Sequence, residues 1–240
     1  MEREIIITAD GSSTIHLPEW DEQYHSKHGA IQEAYHVFIK QGLEHFYNEM
    51  GIFDDSDLST VETSATKSQI AILEIGFGTG LNAFITLIEA EKLNCAVNYC
   101  GVEAYPIAMK EVLQLNYTAQ LNTDSHTPFF KEIHDLSWEK VHAVTPHFSL
   151  IKQNRFFFEI NEKDTYNIIY FDAFGAQVQP ELWTETIFKK MYDALQENGI
   201  LVTYAAKGSV RRAMQAVGFT VERLPGPPGK REMLRAGKRL

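Results

Sequence analysis

Apolar and polar positions alternate in two rhythms along this chain, and together they predict strands interleaved with helices. The apolar run Ile70-Ala71-Ile72-Leu73-Glu74-Ile75 stops at Gly76, with Gly78 and Gly80 at two-residue spacing beyond it. A short apolar run that ends at glycines predicts a buried parallel strand and a tight turn, and residues 81–90 read as the helix leaving that turn. Residues 97–102, 167–172 and 200–204 read as further strands, the first two ending at Glu103 and Asp172. Helices are expected at 106–115 with Pro106 in the first turn, at 180–195 with Gly199 as the stop, and at about 209–217. A strand at 219–223, the turn Gly226-Pro227-Pro228-Gly229 and a last strand near 231–236 close the chain. Residues 148–151 form a short strand candidate. The weakest pattern is at 117–146, where 129–133 reads as a strand and Trp138 as a helix anchor.

Ahead of the glycine turn, Ile5-Ile6-Ile7, an Asp10-Gly11 turn and Thr14-Ile15-His16-Leu17 predict a small β element. Residues 29–47 carry Ile31, Ala34, Tyr35, Phe38 and Ile39 on one side of a helix broken at Gly42, with Leu43, Phe46 and Tyr47 beyond. Residues 54–68, rich in Ser, Thr and Asp, read as a loop. The expected fold is α/β: a Rossmann-like, mostly parallel sheet of seven strands with an antiparallel edge strand and helices on both faces. Residues 69–240 would form that core and residues 1–68 an N-terminal β/helical extension packed on it.

A chain of 240 residues with 44% hydrophobic composition can bury one substantial core. No apolar run approaches the roughly 20 residues that span a bilayer. Met1-Glu2-Arg3-Glu4 does not resemble a signal peptide, and Cys95 and Cys100 suggest no disulfide framework, so a cytoplasmic protein without a membrane partner is expected. Net charge is −10, which by itself argues against a nucleic-acid partner. Its distribution changes that picture. From Lys207 onward, nine basic residues (Lys207, Arg211, Arg212, Arg223, Lys230, Arg231, Arg235, Lys238, Arg239) face only Glu222 and Glu232, a net +7 that leaves −17 on the remainder. A local anionic partner and a solvated face are both consistent with that asymmetry.

The glycine spacing narrows the chemistry. A dinucleotide fingerprint would place its third glycine at position 81, which is Leu. G-x-G-x-G preceded by an acid, here Glu74, is instead the pattern of S-adenosylmethionine (SAM) methyltransferases, the alternative being a turn that serves packing alone. Glu74, Gly76, Phe77, Gly78, Thr79, Gly80 and Asn82 are thus candidate cofactor contacts, at a helix start whose free N–H groups point above the strand end. Glu103, 23 residues beyond Gly80, can accept hydrogen bonds from both ribose hydroxyls of an adenosine, or can simply cap its strand. Asp172 faces the same crevice, where a carboxylate can attract a sulfonium, orient an amine or take its proton; a loop cap is the alternative. His25-x-x-His28 lacks companion ligands, so no metal is expected. The chain has no G-x-S-x-G elbow and no Walker loop, which sets aside covalent hydrolases and NTPases.

Three C-terminal stretches are similar to one family. They are Tyr170-Phe171-Asp172-Ala173-Phe174-Gly175 with Gln179-Pro180-Glu181-Leu182-Trp183, then Ala206-Lys207-Gly208-Ser209-Val210-Arg211-Arg212 with Gly218-Phe219, and Gly229-Lys230-Arg231-Glu232-Met233-Leu234. With residues 74–80 and the N-terminal Tyr24, Ser26, Glu33, Val37 and Phe38, the chain resembles the methyltransferase half of the bifunctional tRNA 5-methylaminomethyl-2-thiouridine biosynthesis proteins (MnmC) and their stand-alone MnmD-like relatives. That resemblance implies methylation of 5-aminomethyl-2-thiouridine at the tRNA wobble position, with SAM as donor and S-adenosyl-L-homocysteine as product. It adds Tyr24 and Ser26 to the cofactor site and makes Asp172 catalytic. It places Phe174, Gly175, Lys207, Arg211, Arg212, Lys230 and Arg231 against the substrate, the tRNA anticodon loop. The resemblance implies no metal, and no flavin is expected, because the oxidase half of the bifunctional proteins is not expected within these 240 residues. The chain departs from the family at Ala176, where proline is usual, at Ser26-Lys27-His28-Gly29-Ala30 in place of S-x-D-x-G, and at Gln153-Asn154-Arg155 in place of an adenine-contacting Gly-Asp. A small-molecule amine or hydroxyl methyltransferase would share everything up to Asp172 without needing a basic tail. A non-catalytic SAM- or RNA-binding module would keep the glycine loop without turnover.

Overall fold

The computed structural model describes residues 2–49 and 69–239, so the stretch at 54–68 that reads as a loop lies outside it. Strands β1 (Glu4–Ile7), β2 (Ser13–Leu17) and β3 (Glu22–Gln23) form a small antiparallel sheet. Asp10 organises its first turn. One carboxylate oxygen accepts from Thr8 Oγ1 at 2.7 Å and the Ser12 N–H at 3.0 Å, and the other accepts the Gln32 N–H at 3.0 Å. The same side chain thus closes a hairpin and satisfies a free donor in the first turn of a helix.

That helix comprises α1 (Ala30–Ala34), a π-helical stretch (Tyr35–Glu44) and α2 (His45–Glu49) without interruption. Gly42 does not break it, contrary to the sequence expectation. A Cβ there would lie 3.1 Å from the Tyr170 ring and 3.2 Å from Val202, so the missing side chain lets the helix press onto the sheet.

The large sheet contains β4 (Gln69–Ile75), β5 (Ala96–Val102), β6 (Val141–Thr145), β7 (Phe148–Gln153), β8 (Tyr166–Phe171), β9 (Leu195–Thr203), β10 (Thr220–Pro225) and β11 (Glu232–Gly237). Their spatial order is β10-β11-β9-β8-β4-β5-β7-β6. The five strands from β9 to β7 are parallel, and β11, β10 and β6 are antiparallel to their neighbours. The helices are α3 (Leu81–Lys92), α4 (Met109–Val112), α5 (Tyr117–Gln120), α6 (Thr127–Asp135), α7 (Glu185–Ala194) and α8 (Gly208–Ala216).

Several expectations need correction. The sheet has eight strands rather than seven, because β6 emerges from the segment with the weakest pattern and pairs with β7. Residues 129–133 lie in helix α6, where Phe130 and Ile133 are buried together three residues apart, a helical rather than an alternating spacing. Trp138 sits in the turn between α6 and β6 rather than in a helix. Pro106 precedes the single-turn helix α4, which is far shorter than the predicted 106–115. Gly199 lies inside β9, where the pairing with β8 shifts register, and a Cβ there would be 2.9 Å from the Gln196 carbonyl oxygen. It marks a bulge and not a helix stop.

Alternate residues of the central strands feed two cores. Ile72, Tyr99, Ile168, Tyr170 and Val202 pack with α3 and the N-terminal helix. Leu73, Ile75, Cys100, Ile169, Phe171 and Leu201 pack with α7 and α8. Burial on both faces explains why these strands read as continuous apolar runs. No helix among the described residues is long and apolar enough to cross a membrane.

Candidate active site

β4 lies at the point where the strand order turns, with β8 on one side and β5 on the other, so a crevice opens above its carboxyl end. Gly76, Gly78 and Gly80 have φ of +91°, +48° and +70°. The N–H groups of Gly76 and Phe77 both donate to the Val102 carbonyl, at 3.0 and 3.1 Å, which folds the turn across β5. A Cβ on Gly78 would lie 3.0 Å from the Tyr24 ring, so the loop and the N-terminal sheet enclose a space that only glycine leaves open. The resulting cleft has a volume of about 720 Å³.

Glu103 borders the cleft beyond β5. One carboxylate oxygen accepts the Gly78 N–H at 3.1 Å and the other the Tyr105 N–H at 2.8 Å. Burial raises its carboxyl above the usual range, against those amides and the Arg3 charge. Arg3 reaches the same loop from β1's approach, donating to the Tyr105 carbonyl at 3.0 Å and pairing with Glu111 at 3.2 Å.

On the other side, Asp172 follows β8, and its N–H donates to Ile75 at 2.9 Å. Asn82 Nδ2 donates to both Asp172 Oδ2 and Glu74 Oε1, each at 2.9 Å, so one amide joins two carboxyl groups from separate strands. Burial drives Glu74 well above the ordinary carboxylate range; the Asn82 bond opposes this and the charge of Asp172 adds to it. Asp172 is pushed up to about 7, first by burial and then by the charge of Glu33, while the Asn82 hydrogen bond and the Lys230 charge hold it down.

The next residues are firmly held. The Ala173 carbonyl accepts the Tyr204 hydroxyl at 2.8 Å, and the Phe174 carbonyl accepts Trp183 Nε1 at 2.8 Å. The Phe174 ring meets Trp20 and Tyr24 edge-on, at 5.8 and 5.1 Å between centroids.

The cleft is lined by Tyr24, Gly76, Phe77, Gly78, Thr79, Asn82, Glu103, Asp172 and Phe174 among the sequence candidates. Glu74 lies beneath it, and Gly80 starts α3 against the His134 ring. Ser26 lies off the cleft: its N–H donates to Glu33 and its hydroxyl accepts the His28 N–H. Gly175 also lies off the cleft lining, 3.8 Å by its absent Cβ from the Tyr204 hydroxyl. His25 is buried between Thr14 and Thr79, and burial holds it down at about 4; no cluster of three metal-ligating side chains occurs among the described residues.

The basic tail divides in two. Arg223, Lys230, Arg235, Lys238 and Arg239 are ion-paired, with Glu232, Glu33, Glu222, Asp164 and Glu222 respectively. Lys207, Arg211, Arg212 and Arg231 have no carboxylate partner among the described residues.

Sequence reasoning missed Trp20, Tyr105, Phe156 and Phe158. These are the large aromatic side chains left exposed among the described residues, and all four lie on the rim of this cleft. Phe156 and Phe158 stack face to face at 5.3 Å, with Tyr105 edge-on to Phe156 at 6.0 Å. Phe156-Phe157-Phe158, three aromatics in a row outside any strand or helical pattern, was the available signal.

Residues 139–239 match a family described as S-adenosyl-L-methionine-dependent methyltransferase. The chain is 26% identical over 231 residues to a tRNA 5-methylaminomethyl-2-thiouridine biosynthesis bifunctional protein MnmC from Marinomonas sp. (strain MWYL1), covering 91% of this chain and 31% of that protein. It is 28% identical over 244 residues to the protein of the same name from Cupriavidus metallidurans, covering 96% of this chain and 33% of that one. The chain therefore spans about a third of the length of these curated relatives. Among solved structures, MNMC2 from Aquifex aeolicus superposes with a TM-score of 0.75 at 21% identity, covering 99% of this chain and 70% of that one. A spermidine synthase from Thermotoga maritima gives 0.55 at 12% identity, covering 98% and 69%. The fold is the Rossmann-like fold of SAM-dependent methyltransferases.

Proposed function

We propose that this protein is a SAM-dependent N-methyltransferase that converts 5-aminomethyl-2-thiouridine at the tRNA wobble position to 5-methylaminomethyl-2-thiouridine. The observation that carries this reading is the pairing of two carboxylates across one glycine turn. Glu103 is placed for an adenosine ribose, and Asp172 lies beside an aromatic cluster on the other side. The names of the MnmC relatives supply the substrate class.

The residues present fit SAM. The positive-φ glycines leave a cradle that a Cβ would fill, and Glu103 keeps free lone pairs on both oxygens. Tyr24, Gly76, Phe77, Gly78, Thr79, Asn82 and Glu103 would hold it. When bound, SAM supplies a methyl group made electrophilic by the adjoining sulfonium. An alkyl amine with a pKa near 10.4 is neutral in fewer than about one molecule per thousand at pH 7, so the site must favour the neutral form or take its proton. Asp172, raised to about 7, suits a proton acceptor working near neutral pH. Asn82 fixes the carboxylate in place, and the tied 172–174 segment holds Phe174 against Trp20 and Tyr24, where a pyrimidine can stack. No step calls for a metal or a flavin.

The chain divides into an N-terminal β/helical extension (1–68) packed on a methyltransferase core (69–240), with Arg3, Trp20 and Tyr24 of the extension lining the cleft, and the protein works in the cytoplasm. Lys207, Arg211, Arg212 and Arg231 grip anticodon-loop phosphates. Lys207→Ala/Arg212→Ala is expected to weaken tRNA binding and make its salt dependence shallower by about 0.7 to 0.9 for each phosphate no longer neutralised, with SAM affinity unchanged. Binding measured at several salt concentrations checks this; a slope equal to the parent's leaves the basic face without a role. The function itself is tested by transfer of labelled methyl from SAM to tRNA carrying the aminomethyl group, followed by nucleoside mass analysis. Label on small amines but not on tRNA would replace the substrate.

A further inference from the structure

Lys230 belongs to the proposed phosphate grip by sequence, yet its ammonium is turned inward onto the Glu33 carboxylate and lies 3.7 Å above the centre of the Tyr204 ring. Glu33 is itself buried, and its second oxygen accepts the Ser26 N–H at 2.8 Å. Tyr204 in turn donates to the carbonyl of Ala173, the residue after Asp172. Residues from the N-terminal helix, the β10–β11 turn, the end of β9 and the end of β8 thus meet behind the cleft.

We propose that the Glu33–Lys230 ion pair sets the charge of the Asp172 carboxyl group, with Lys230 as a positioning residue that offsets the negative charge Glu33 directs at it. Asn82 from α3 donates to Asp172, and the other ionisable groups whose charges couple to it are Glu74 from β4, Tyr99 from β5, Tyr204 just past the end of β9, Glu33 from the N-terminal helix and Lys230. Of these, only Lys230 carries a positive charge. Glu33 raises the proton affinity of Asp172 and Lys230 lowers it, so the intact pair balances the two effects. Without the pair's cation, the charge of Glu33 would act unopposed on the buried Asp172 carboxyl group. The consequence for turnover rests on Asp172 accepting the amine proton as proposed above; the effect on its titration does not.

Opposite substitutions should therefore act in opposite directions. In full-length, SAM-free protein with ¹³C-labelled aspartate carboxyls, the Asp172 signal is identified by its loss in Asp172→Asn. Lys230→Met is expected to move the midpoint of that signal up by about one pH unit or more, and Glu33→Gln to move it down. The double variant Lys230→Met/Glu33→Gln should return near the parent, and Lys230→Arg should keep the parent midpoint. The acid limb of the pH–turnover profile should move with the NMR midpoint, because every variant shares the same substrate amine. A purely structural role would lower melting temperature or turnover without displacing the titration. Single variants that leave the midpoint in place, or move it in the same direction while still binding SAM, overturn the proposal. If the midpoints move as expected but Asp172→Asn still turns over, the pair controls the carboxyl and only the catalytic reading of Asp172 fails.

Discussion

Asp172→Asn is expected to lower turnover on the order of 10²-fold or more while SAM affinity stays within a few-fold of the parent. The substitution keeps the planar shape, and its carbonyl can still accept from Asn82 Nδ2, so the junction between β4, α3 and β8 survives. What disappears is the negative charge and the basicity, the two properties that an amine needs beside the reacting methyl. Stability should not fall. A carboxyl group whose proton affinity is raised on folding costs stability once pH exceeds its unfolded pKa near 4, and the cost grows until its folded midpoint near 7. Asparagine carries no such cost, so the variant should melt no lower than the parent at neutral pH. Single-turnover methyl transfer with saturating SAM reads the chemical step directly. Turnover within a few-fold of the parent would reduce Asp172 to a loop cap.

Gly76→Ala should abolish tight SAM binding, weakening it tenfold or more. Gly76 has φ +91°, and a Cβ there would lie 2.7 Å from the Asp172 carbonyl oxygen and 3.3 Å from its carbon. Both neighbours are backbone, so relief requires the end of β8 to move away from β4. That displaces Asp172 and breaks the hydrogen bond from its N–H to Ile75. Strain of this kind costs about 1–3 kcal/mol, which for a chain of this size lowers the melting temperature by several degrees. Calorimetric titration with SAM, on protein shown to be folded by circular dichroism, separates the local effect from unfolding. Undiminished affinity would place the cofactor away from this turn.

The parallel half of the sheet was legible because strands buried on both faces leave no polar interruptions until their ends. The same logic placed Glu103 and Asp172, since an acid that ends an apolar run must lie where the strand meets solvent or ligand. The segment at 117–146 was not legible, because β6 is an edge strand: Val141 and Ala143 are exposed, and only Val144 is buried. An edge strand borrows its order from β7 and has little pattern of its own. Gly42 and Gly199 misled for a related reason. Glycine weakens a helix or marks its stop when only neighbouring residues matter, but here distant partners, Tyr170 and Val202 for one and the β8–β9 bulge for the other, require its lack of a side chain.

For the basic tail, sequence counted charges correctly and could not assign them. Five of the nine found carboxylates, all outside their own element: Glu33 for Lys230, Asp164 for Lys238, Glu232 across the terminal hairpin for Arg223, and Glu222 for Arg235 and Arg239. Formal charge is a property of composition, whereas available charge depends on which groups the fold brings within a few ångströms.

By itself, the sequence determined the fold class, the glycine turn, the two acids that flank it and the asymmetry of charge. Each of these is written in residues that are close together along the chain, so local spacing and hydrophobic period suffice. Only the tertiary structure decided that one amide, Asn82, joins Glu74 to Asp172, that Lys230 faces inward onto Glu33, and that four aromatics from three separate segments share one rim. The longest-range of these contacts, Asn82 with Asp172 and Lys230 with Glu33, join residues 90 and 197 positions apart, and leave no periodic trace along the chain.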